Sequence, residues 1–349
     1  MSRIIYGLAG EGMGHASRSK ILIEHLLSQG HEVKVISHDK GYENLSPYFE
    51  VLKISGLRIT YEHNQVRYLE TVFDNILKLP GLQKSFNKIL KLKNEFQPQL
   101  IISDFEPLTA LLAHWEGIPL ISVDNQHQLI YTNVSYPKEY LQEALAAKTV
   151  SRLMVSRAEA YLITSFFKTR IKHRHTYLFP PILRREVLEE KPVAGDYVLV
   201  YTTSHFSDLN ETLEKIKTEK FIVYGLGEKK SKENVFFKAP SQDGFLKDLA
   251  GCKAIIATAG LSLISEALYL GKPYLAIPVK KQFEQILNAH YLEKCGYGKF
   301  LQSINQKDIE LFLSNLVKYR KNLLQYPKED NKKIFSKLDS LIKRYTLNS

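Results

Sequence analysis

Short apolar runs that alternate with segments of helical periodicity constrain the fold of this 349-residue chain more than any other feature. Near the start, the run Arg3–Leu8 enters a glycine-rich turn, and leucines and isoleucines then recur at helical spacing as far as Gly30. Comparable alternations occur over residues 98–123 and 197–277. Because strands and helices that alternate in this way form parallel sheets with helices on both faces, the sequence predicts an α/β fold.

The alternation is interrupted once, which predicts two doubly wound, Rossmann-like domains. Pro180-Pro181 and the charged run that ends at Pro192 are typical of a linker. In an open α/β sheet ligands bind beyond the carboxyl ends of the strands, so two such domains would face each other across a cleft. The expected segments are an N-terminal domain over 1–185, a hinge over 186–195, a C-terminal domain over 196–325, and a helix over 326–349 that packs back on the first domain.

The cysteines and the apolar runs restrict the setting of the protein. Cys252 and Cys295 are the only cysteines and form no Cys-x-x-Cys pair, which excludes a disulfide framework and a cysteine-ligated zinc site. No apolar run reaches the roughly 18 residues that a membrane span needs. The sequence also lacks an Asp-x-Asp pair and an EF-hand loop, so we expect a soluble, cytoplasmic protein that needs no metal.

A net charge of +11 indicates an anionic partner, which could be nucleic acid, an acidic membrane surface or a phosphorylated ligand. No zinc-finger, RRM or helix-turn-helix signature accompanies the charge, so a nucleic-acid partner is not expected. Phe166, Phe167 and Phe179 alternate with a basic patch. This pattern predicts peripheral contact with the inner face of an anionic membrane, unless the aromatics are core residues and the charges are solvated. The basic patch comprises Lys168, Arg170, Lys172, Arg174, Arg184 and Arg185.

A glycine loop between the first strand and the first helix is the first candidate site. Gly10, Gly12 and Gly14 allow a close backbone approach, and the N-terminus of the following helix favours an anionic group. The spacing G-x-G-x-G departs from the dinucleotide pattern G-x-G-x-x-G, but Asp39 could bind a ribose, so NAD or FAD is an alternative. His15 follows the glycines directly and is a candidate general base. A tight turn without a ligand is the other interpretation.

Polar residues also end the next two predicted strands at the same sheet edge. Asp104 follows the strand Leu100–Ile102 and could orient the ring of His15, although it could instead cap the next helix. His127 follows the strand Leu120–Val123 and is a competing base, an acceptor contact or a loop histidine with satisfied hydrogen bonds. This edge of the first sheet is therefore the predicted catalytic region.

The second half of the chain contains a longer motif. A predicted strand ends at Ala259-Gly260, and the helix that follows would point its free N–H groups at an anion. Glu266, one helical turn further on, can accept two hydrogen bonds from a ribose diol, and Glu284-Gln285 begin a second helix where they could bind sugar hydroxyls. An ordinary βαβ unit with a buried helix is the alternative interpretation.

The segment over 258–289 resembles the donor-binding signature of GT-B glycosyltransferases, in particular the UDP-glycosyltransferases and the MurG-type N-acetylglucosaminyltransferases. Two positions depart from it: Ala259 stands where many members have glycine, and Thr258 where many UDP-glycosyltransferases have histidine. In the first half, the glycine loop and the stretch Pro98–Asp104 resemble the acceptor side of the same superfamily. The resemblance covers about residues 1–300 and is closest to a prokaryotic branch of the superfamily.

This resemblance implies a GT-B fold and transfer of a hexose-type sugar from a nucleotide diphosphate donor, UDP-linked, to a hydroxyl acceptor. It implies inversion with His15 as the general base and Asp104 as its partner, and no cofactor besides the nucleotide sugar. The acceptor stays open between a lipid, a saccharide and a small molecule, and a nucleotide-sugar 2-epimerase or a non-catalytic nucleotide-sugar binding protein are the alternatives. The implied donor contacts are Gly260, Leu261, Ser262, Glu266, Glu284, Gln285, Thr203 and Ser204. The implied acceptor or phosphate loop comprises Gly12, Gly14, Arg18 and His127.

Overall fold

The computed structural model describes residues 1–57, 61–62, 65–66, 79–202, 209–226 and 231–347. The chain divides into two compact units. Unit 1 combines the N-terminal part of the chain with its C-terminal segment, and the main part of unit 2 is the sequence between them. Their bounds are Met1–Glu62, Val66–Arg184 and Asp330–Ser349 for unit 1, and Arg185–Glu329 for the main part of unit 2.

A seven-stranded parallel sheet forms the centre of unit 1. The strands in this half of the chain are β1 (Arg3–Leu8), β2 (Glu32–Ser37), β3 (Val51–Lys53), β4 (Tyr61–Glu62), β5 (Gln65–Val66), β6 (Leu100–Asp104), β7 (Leu120–Asp124), β8 (Ala160–Thr164) and β9 (Thr176–Phe179). The sheet has the order β3-β2-β1-β6-β7-β8-β9, and β4 pairs with β5 separately. The helices are α1 (Gly12–Ser28), α2 (Asp39–Leu45), α3 (Leu79–Phe96), α4 (Pro107–Glu116), α5 (Gln128–Tyr131) and α6 (Leu141–Met154).

Strand β1 shows why this sheet is covered on both faces. Its neighbouring residues Ile4 and Ile5 are both fully buried, although successive side chains of a strand point to opposite faces. Ile4 belongs to the core cluster that includes residues of α1, and Ile5 to the cluster that includes residues of α4. Leu8 pairs with Asp104 of β6, so the glycine loop and Asp104 leave the sheet at the same edge.

Unit 2 repeats this architecture with a six-stranded parallel sheet. Its strands are β10 (Tyr197–Tyr201), β11 (Lys220–Tyr224), β12 (Val235–Phe237), β13 (Ala254–Ala257), β14 (Tyr274–Ala276) and β15 (Gly298–Phe300), in the order β12-β11-β10-β13-β14-β15. Its helices are α7 (Arg185–Glu189), α8 (Leu209–Lys215), α9 (Gln242–Gly251), α10 (Leu261–Tyr269), α11 (Phe283–Lys294), α12 (Gln306–Ser314) and α13 (Leu316–Leu323). The predicted α/β fold with two parallel sheets is confirmed.

The segment expected to be a hinge, 186–195, is held on unit 2. Its first part lies in α7, where Val187 is fully buried. Further on, the N–H of Val193 donates to the carbonyl oxygen of Ala250 at 2.9 Å, and its own carbonyl accepts from Nζ of the buried Lys272 at 2.7 Å. Proline and charge made this segment resemble a free linker, but residues distant in sequence anchor its backbone.

The last helix, α14 (Lys332–Thr346), packs into the core of unit 1. Its apolar residues Ile334, Leu338 and Leu341 recur at helical spacing and are buried in the same cluster as residues of α1 and β1. His25 of α1 adds a polar contact, because its Nε2 lies 2.8 Å from Oδ1 of Asp339. The C-terminal segment is therefore an integral part of unit 1.

Truncation of Leu338 to alanine should lower the free energy of unfolding of unit 1 by about 2–5 kcal/mol, because it leaves a cavity at a fully buried position. Guanidinium unfolding followed by circular dichroism and by the fluorescence of Trp115, the only tryptophan, measures the loss. Leu347→Ala, at a position 71% exposed, is the matched control and should change stability by less than about 0.5 kcal/mol. Equal effects of the two variants would contradict the packing of α14 in this core.

Candidate functional site

His15 and Asp104 form a hydrogen-bonded pair at the carboxyl edge of the unit 1 sheet. Asp104 is the fully buried last residue of β6, and its Oδ1 lies 2.7 Å from Nδ1 of His15, near the start of α1. Nη2 of Arg18 also lies 2.8 Å from this Nδ1. With the proton on Nδ1, the ring donates to the carboxylate and the lone pair of the neutral ring lies on Nε2. The His15 side chain keeps 13% of its surface exposed, so the imidazole is not sealed in the core.

Two glycines shape the loop that presents His15. A side chain at Gly10 would collide with the backbone of His38, and Gly12, which begins α1, has a φ of +74° in the region that favours glycine. His38 Nε2 accepts a hydrogen bond from the Gly10 N–H at 3.0 Å, and its Nδ1 lies 3.1 Å from Oδ2 of Asp39. Asp39, considered above as a ribose-binding acid, therefore lies against His38.

Arg18 and Ser19 complete the surroundings of the Asp104 carboxylate. Nε of Arg18 donates to Oδ2 at 2.7 Å and Nη2 donates to Oδ1 at 2.5 Å, while the Ser19 hydroxyl donates to Oδ2 at 2.9 Å. The remaining guanidinium nitrogen, Nη1, donates to Oδ1 of Asn125 at 2.7 Å. Arg18 was expected in a phosphate-binding loop, but its guanidinium is buried and held by Asp104 and Asn125. These contacts hold the Asp104 carboxylate beside His15.

These contacts control the ionisation of Asp104. Burial by itself raises the pKa of this carboxyl, but the Arg18 guanidinium and the His15 ring outweigh burial and lower the pKa to about 2. The carboxylate is therefore ionised at neutral pH. An ionised carboxylate at Nδ1 would stabilise a positive charge on an imidazole ring whose Nε2 took up a proton.

The two residues after Asp104 have supporting roles. Glu106 is the N-cap of α4, because its carboxylate accepts from the N–H groups of Leu108 at 3.1 Å and Thr109 at 2.6 Å. The capping role considered for Asp104 thus belongs to Glu106. Phe105 has a φ of +59°, and its ring lies parallel to that of His15 with centroids 6.3 Å apart. It forms an apolar wall beside the base.

His127 is a structural histidine within the loop that follows β7. Its Nδ1 lies 2.6 Å from Oδ2 of Asp124 and its Nε2 lies 2.7 Å from the carbonyl oxygen of Val155, and the side chain is fully buried. Burial lowers the pKa of His127, but the Asp124 carboxylate outweighs burial and the net shift is upward. Both ring nitrogens are occupied by protein acceptors, so the expected role of His127 as a competing base or acceptor contact is not supported.

The neighbouring residues of the same loop reach the site, and sequence reasoning missed them. Asn125 holds the guanidinium of Arg18, and Nε2 of Gln126 lies 3.3 Å from Nε2 of His15. The available signal was their position at the carboxyl end of a buried strand, next to the strand that ends in Asp104. The spacing of residues in the sequence does not specify which side chains Asn125 and Gln126 contact.

In unit 2, helix α10 begins at the position predicted for an anion. Its N-cap is Gly260, so the helix starts without a side-chain cap, and the space where a side chain would lie at this residue is open. Two side chains fix the turn before this helix. Nδ2 of Asn288 donates to the carbonyl oxygen of Ala259 at 3.0 Å. The hydroxyl of Tyr274 donates to the carbonyl oxygen of Thr258 at 2.6 Å.

The other predicted donor residues have different degrees of exposure. Ser262 is exposed in the first turn of α10, whereas Glu266, one turn later, is buried with 7% of its surface exposed. Glu284 and Gln285 are half-buried at the start of α11, and Oε1 of Gln285 accepts from the N–H of Val279 at 2.9 Å. Leu261 is half-buried, Gly14 lies in the first turn of α1, and Thr203 and Ser204 lie outside the described residues.

The basic side chains of the patch are mostly exposed, as expected from the sequence, but the phenylalanines that alternate with them are not. Phe166 and Phe167 are core residues, each 5% exposed, with ring centroids 4.9 Å apart, so they are not available to enter a membrane. The exposed side chains of the basic patch are Lys168, Arg170, Lys172, Arg174 and Arg185. Within the described ranges, every helix is too short or too polar to cross a bilayer. The same ranges bring together no group of three histidine, cysteine or acidic side chains able to hold a metal ion.

Solved structures share this architecture over nearly the whole chain. The kitacinnamycin glycosyltransferase aligns with a TM-score of 0.71 at 15% identity and covers 99% of each chain. The glycosyltransferase VinC, solved in complex with dTDP, aligns with a TM-score of 0.63 at 15% identity, over 99% of this chain and 100% of VinC. The two parallel α/β sheets are thus those of the GT-B fold of glycosyltransferases.

The sequence comparison identifies the family within this class. The model of glycosyl transferase family 1 matches residues 2–317, and the chain belongs to that family of glycosyltransferase enzymes. A Methanosarcina mazei protein described as an uncharacterized glycosyltransferase is 24% identical over 88% of this chain and 89% of its own length. The Bacillus cereus UDP-N-acetylglucosamine--N-acetylmuramyl-(pentapeptide) pyrophosphoryl-undecaprenol N-acetylglucosamine transferase 2 is also 24% identical, over 93% of this chain and 92% of its own length.

Asp104→Asn should destabilise unit 1 at neutral pH by an amount of the order of 2 kcal/mol, because it removes a carboxylate whose pKa is lowered to about 2 in the folded protein. A depressed pKa contributes stability above the unfolded value and loses it as pH falls. The difference between wild type and variant should therefore narrow as pH falls from about 4 toward 2. Denaturant unfolding at several pH values measures it, and a constant difference would contradict the charged pairing with Arg18.

Proposed function

We propose that the protein transfers a hexose-type sugar from a nucleotide diphosphate donor, UDP-linked, to a hydroxyl acceptor, with inversion at the anomeric carbon. The observation that carries this proposal is the pairing of His15 with Asp104 at 2.7 Å, which puts the lone pair of a partly exposed imidazole on Nε2. Such a nitrogen is suited to take the proton of an attacking hydroxyl group. A buried, ionised aspartate beside it supports the charge that results.

The proposed reaction is a single displacement. Nε2 of His15 removes the acceptor proton while the acceptor oxygen forms a bond to the anomeric carbon. The bond between that carbon and the diphosphate oxygen breaks, and the electron pair leaves with the diphosphate. Attack from the face opposite the leaving group inverts the anomeric carbon, and Asp104 stays ionised throughout.

The N-terminus of α10 is the proposed site of the departing diphosphate. The helix begins at Gly260 without a side-chain cap, so the N–H groups of its first turn, with the hydroxyl of the exposed Ser262, are suited to bind an anion. The dTDP complex of VinC and the UDP-sugar in the name of the Bacillus cereus relative support a nucleoside diphosphate donor. UDP is the nucleotide we propose.

Acidic and amide side chains further along unit 2 are proposed to hold the sugars of the donor. Glu266 would accept hydrogen bonds from the ribose hydroxyls. Glu284 and Gln285 would bind the transferred hexose, with Gln285 contributing its amide nitrogen because its oxygen already accepts from Val279. Thr203 and Ser204 stay predicted phosphate contacts. The lipid-linked saccharide in the name of the Bacillus cereus relative favours a hydroxyl of a saccharide as acceptor.

His15→Ala should reduce turnover by a factor of about 10²–10⁴ while UDP binding persists, because the base is lost and the donor residues are unchanged. Release of UDP from UDP-glucose and UDP-N-acetylglucosamine, with a panel of saccharide acceptors, measures turnover. His175→Ala removes an exposed histidine of unit 1 and is the matched control. Near-normal turnover of the His15 variant would reject this residue as the base.

Glu266→Ala should weaken UDP binding by about 2–3 kcal/mol, because buried ribose hydroxyls would lose a charged hydrogen-bond acceptor. Isothermal titration calorimetry with UDP provides the measurement. Glu310→Ala, at an exposed position of unit 2, should bind UDP as the wild type does. An unchanged affinity of a folded Glu266 variant would show that the donor site lies elsewhere.

A further inference from the structure

The proton-accepting nitrogen of His15 has a hydrogen-bond partner of its own. Nε2 of Gln126 lies 3.3 Å from Nε2 of His15. An amide nitrogen can only donate, so in this contact Nε2 carries the lone pair and the proton lies on Nδ1, where Asp104 accepts its hydrogen bond. Gln126 is half-buried, whereas Asn125 and His127 on either side of it are buried. It is the residue of this loop that shares the partly exposed surface of the base.

The loop holds the Gln126 amide in one orientation. Asp124 accepts from both the backbone N–H and the ring of His127, at 2.9 and 2.6 Å, which closes the loop on itself. Asn125 fixes the same loop to Arg18. Oε1 of Gln126 accepts from the N–H of Asn125 at 3.3 Å, so the amide oxygen is used by the chain and the amide nitrogen is the end that reaches His15.

We propose that Gln126 is a positioning residue for sugar transfer. Its amide N–H donates to the lone pair on Nε2 of His15 and occupies the position that the acceptor oxygen takes when it binds. This inference depends on the proposed role of His15 as the base. A lone pair accepts one strong hydrogen bond, so the acceptor hydroxyl must replace the amide N–H at Nε2. The replaced contact, at 3.3 Å, is longer than the usual hydrogen-bond distance of about 2.7–3.2 Å. It is therefore a weak hydrogen bond, and its exchange for the acceptor hydroxyl costs little free energy.

The replaced amide stays beside the acceptor and can donate to a second oxygen. This arrangement suits an acceptor with neighbouring hydroxyl groups, as in a saccharide, better than an isolated alcohol.

The absence of charge on the side chain of Gln126 also matters for His15. In the part of the chain that the structure describes, His15 contacts two charged groups, Asp104 from β6 and Arg18 from α1, and the uncharged Phe105 and Gln126. A second carboxylate at this point would favour the protonated ring and remove the lone pair.

The test is a titration of the His15 ring by 15N NMR in wild type, Gln126→Glu and Gln126→Met. A carboxylate opposite Nε2 should raise the midpoint of this titration by about one to two pH units. Methionine keeps the length of the side chain but lacks the donor, so it should raise the midpoint by less. Gln142→Glu makes the same change at an exposed position of α6 and should leave the midpoint as in wild type.

Turnover of UDP-glucose and UDP-N-acetylglucosamine, measured against pH, separates two hypotheses: that His15 is the base, and that Gln126 positions it. We expect the acid limb of the rate profile of Gln126→Glu to move upward with the NMR midpoint. Unshifted midpoints in folded Gln126 variants, beside a His15→Ala variant that has lost turnover, would reject the role of Gln126 alone. A shifted midpoint without a shifted acid limb would reject His15 as the base, and the role of Gln126 with it.

Discussion

A buried carboxylate needs hydrogen-bond partners, and the position of α1 on the sheet of unit 1 depends on the hydrogen bonds that Asp104 accepts. Ionised groups are costly to bury unless hydrogen bonds and an opposite charge compensate them. Asp104 receives this compensation from the first two turns of α1, through His15, Arg18 and Ser19. The same contacts therefore fix the helix to the sheet edge, keep the carboxylate ionised and orient the imidazole. The stability of unit 1 and the orientation of His15 therefore depend on one cluster of contacts.

The elements of the fold were predictable where one segment contains all the information. The run Arg3–Leu8 is a strand with the predicted bounds, because a buried parallel strand is apolar along its whole length. The strand predicted over Leu100–Ile102 extends to Asp104, and the strand predicted over Leu120–Val123 extends to Asp124. The observed strands are longer because an apolar run marks only the apolar part of a buried strand, and their last residues are polar.

The site was only half predictable, and the missing half consists of contacts between segments. His15 was identifiable from its place directly after the glycine loop, and Asp104 from its place at a strand end. Arg18, Asn125 and Gln126 acquire their roles from the register that aligns β1, β6 and β7, and the sequence gives no measure of side-chain distances across strands. The three interpretations of His127 stayed open for the same reason, since only the structure reveals that Asp124 and the backbone already use both ring nitrogens.

The return of α14 to the core of unit 1 has a consequence for the biosynthesis of the chain. A ribosome releases residues from the N-terminus onward, so the strands of unit 1 emerge first, but helix α14 of the same core emerges only after Arg185–Glu329. Arg185–Glu329, the main part of unit 2, is available in full before that helix is made. Domains usually complete folding in the order of their synthesis. Because the core of unit 1 includes α14, we expect this unit to complete its folding after the main part of unit 2.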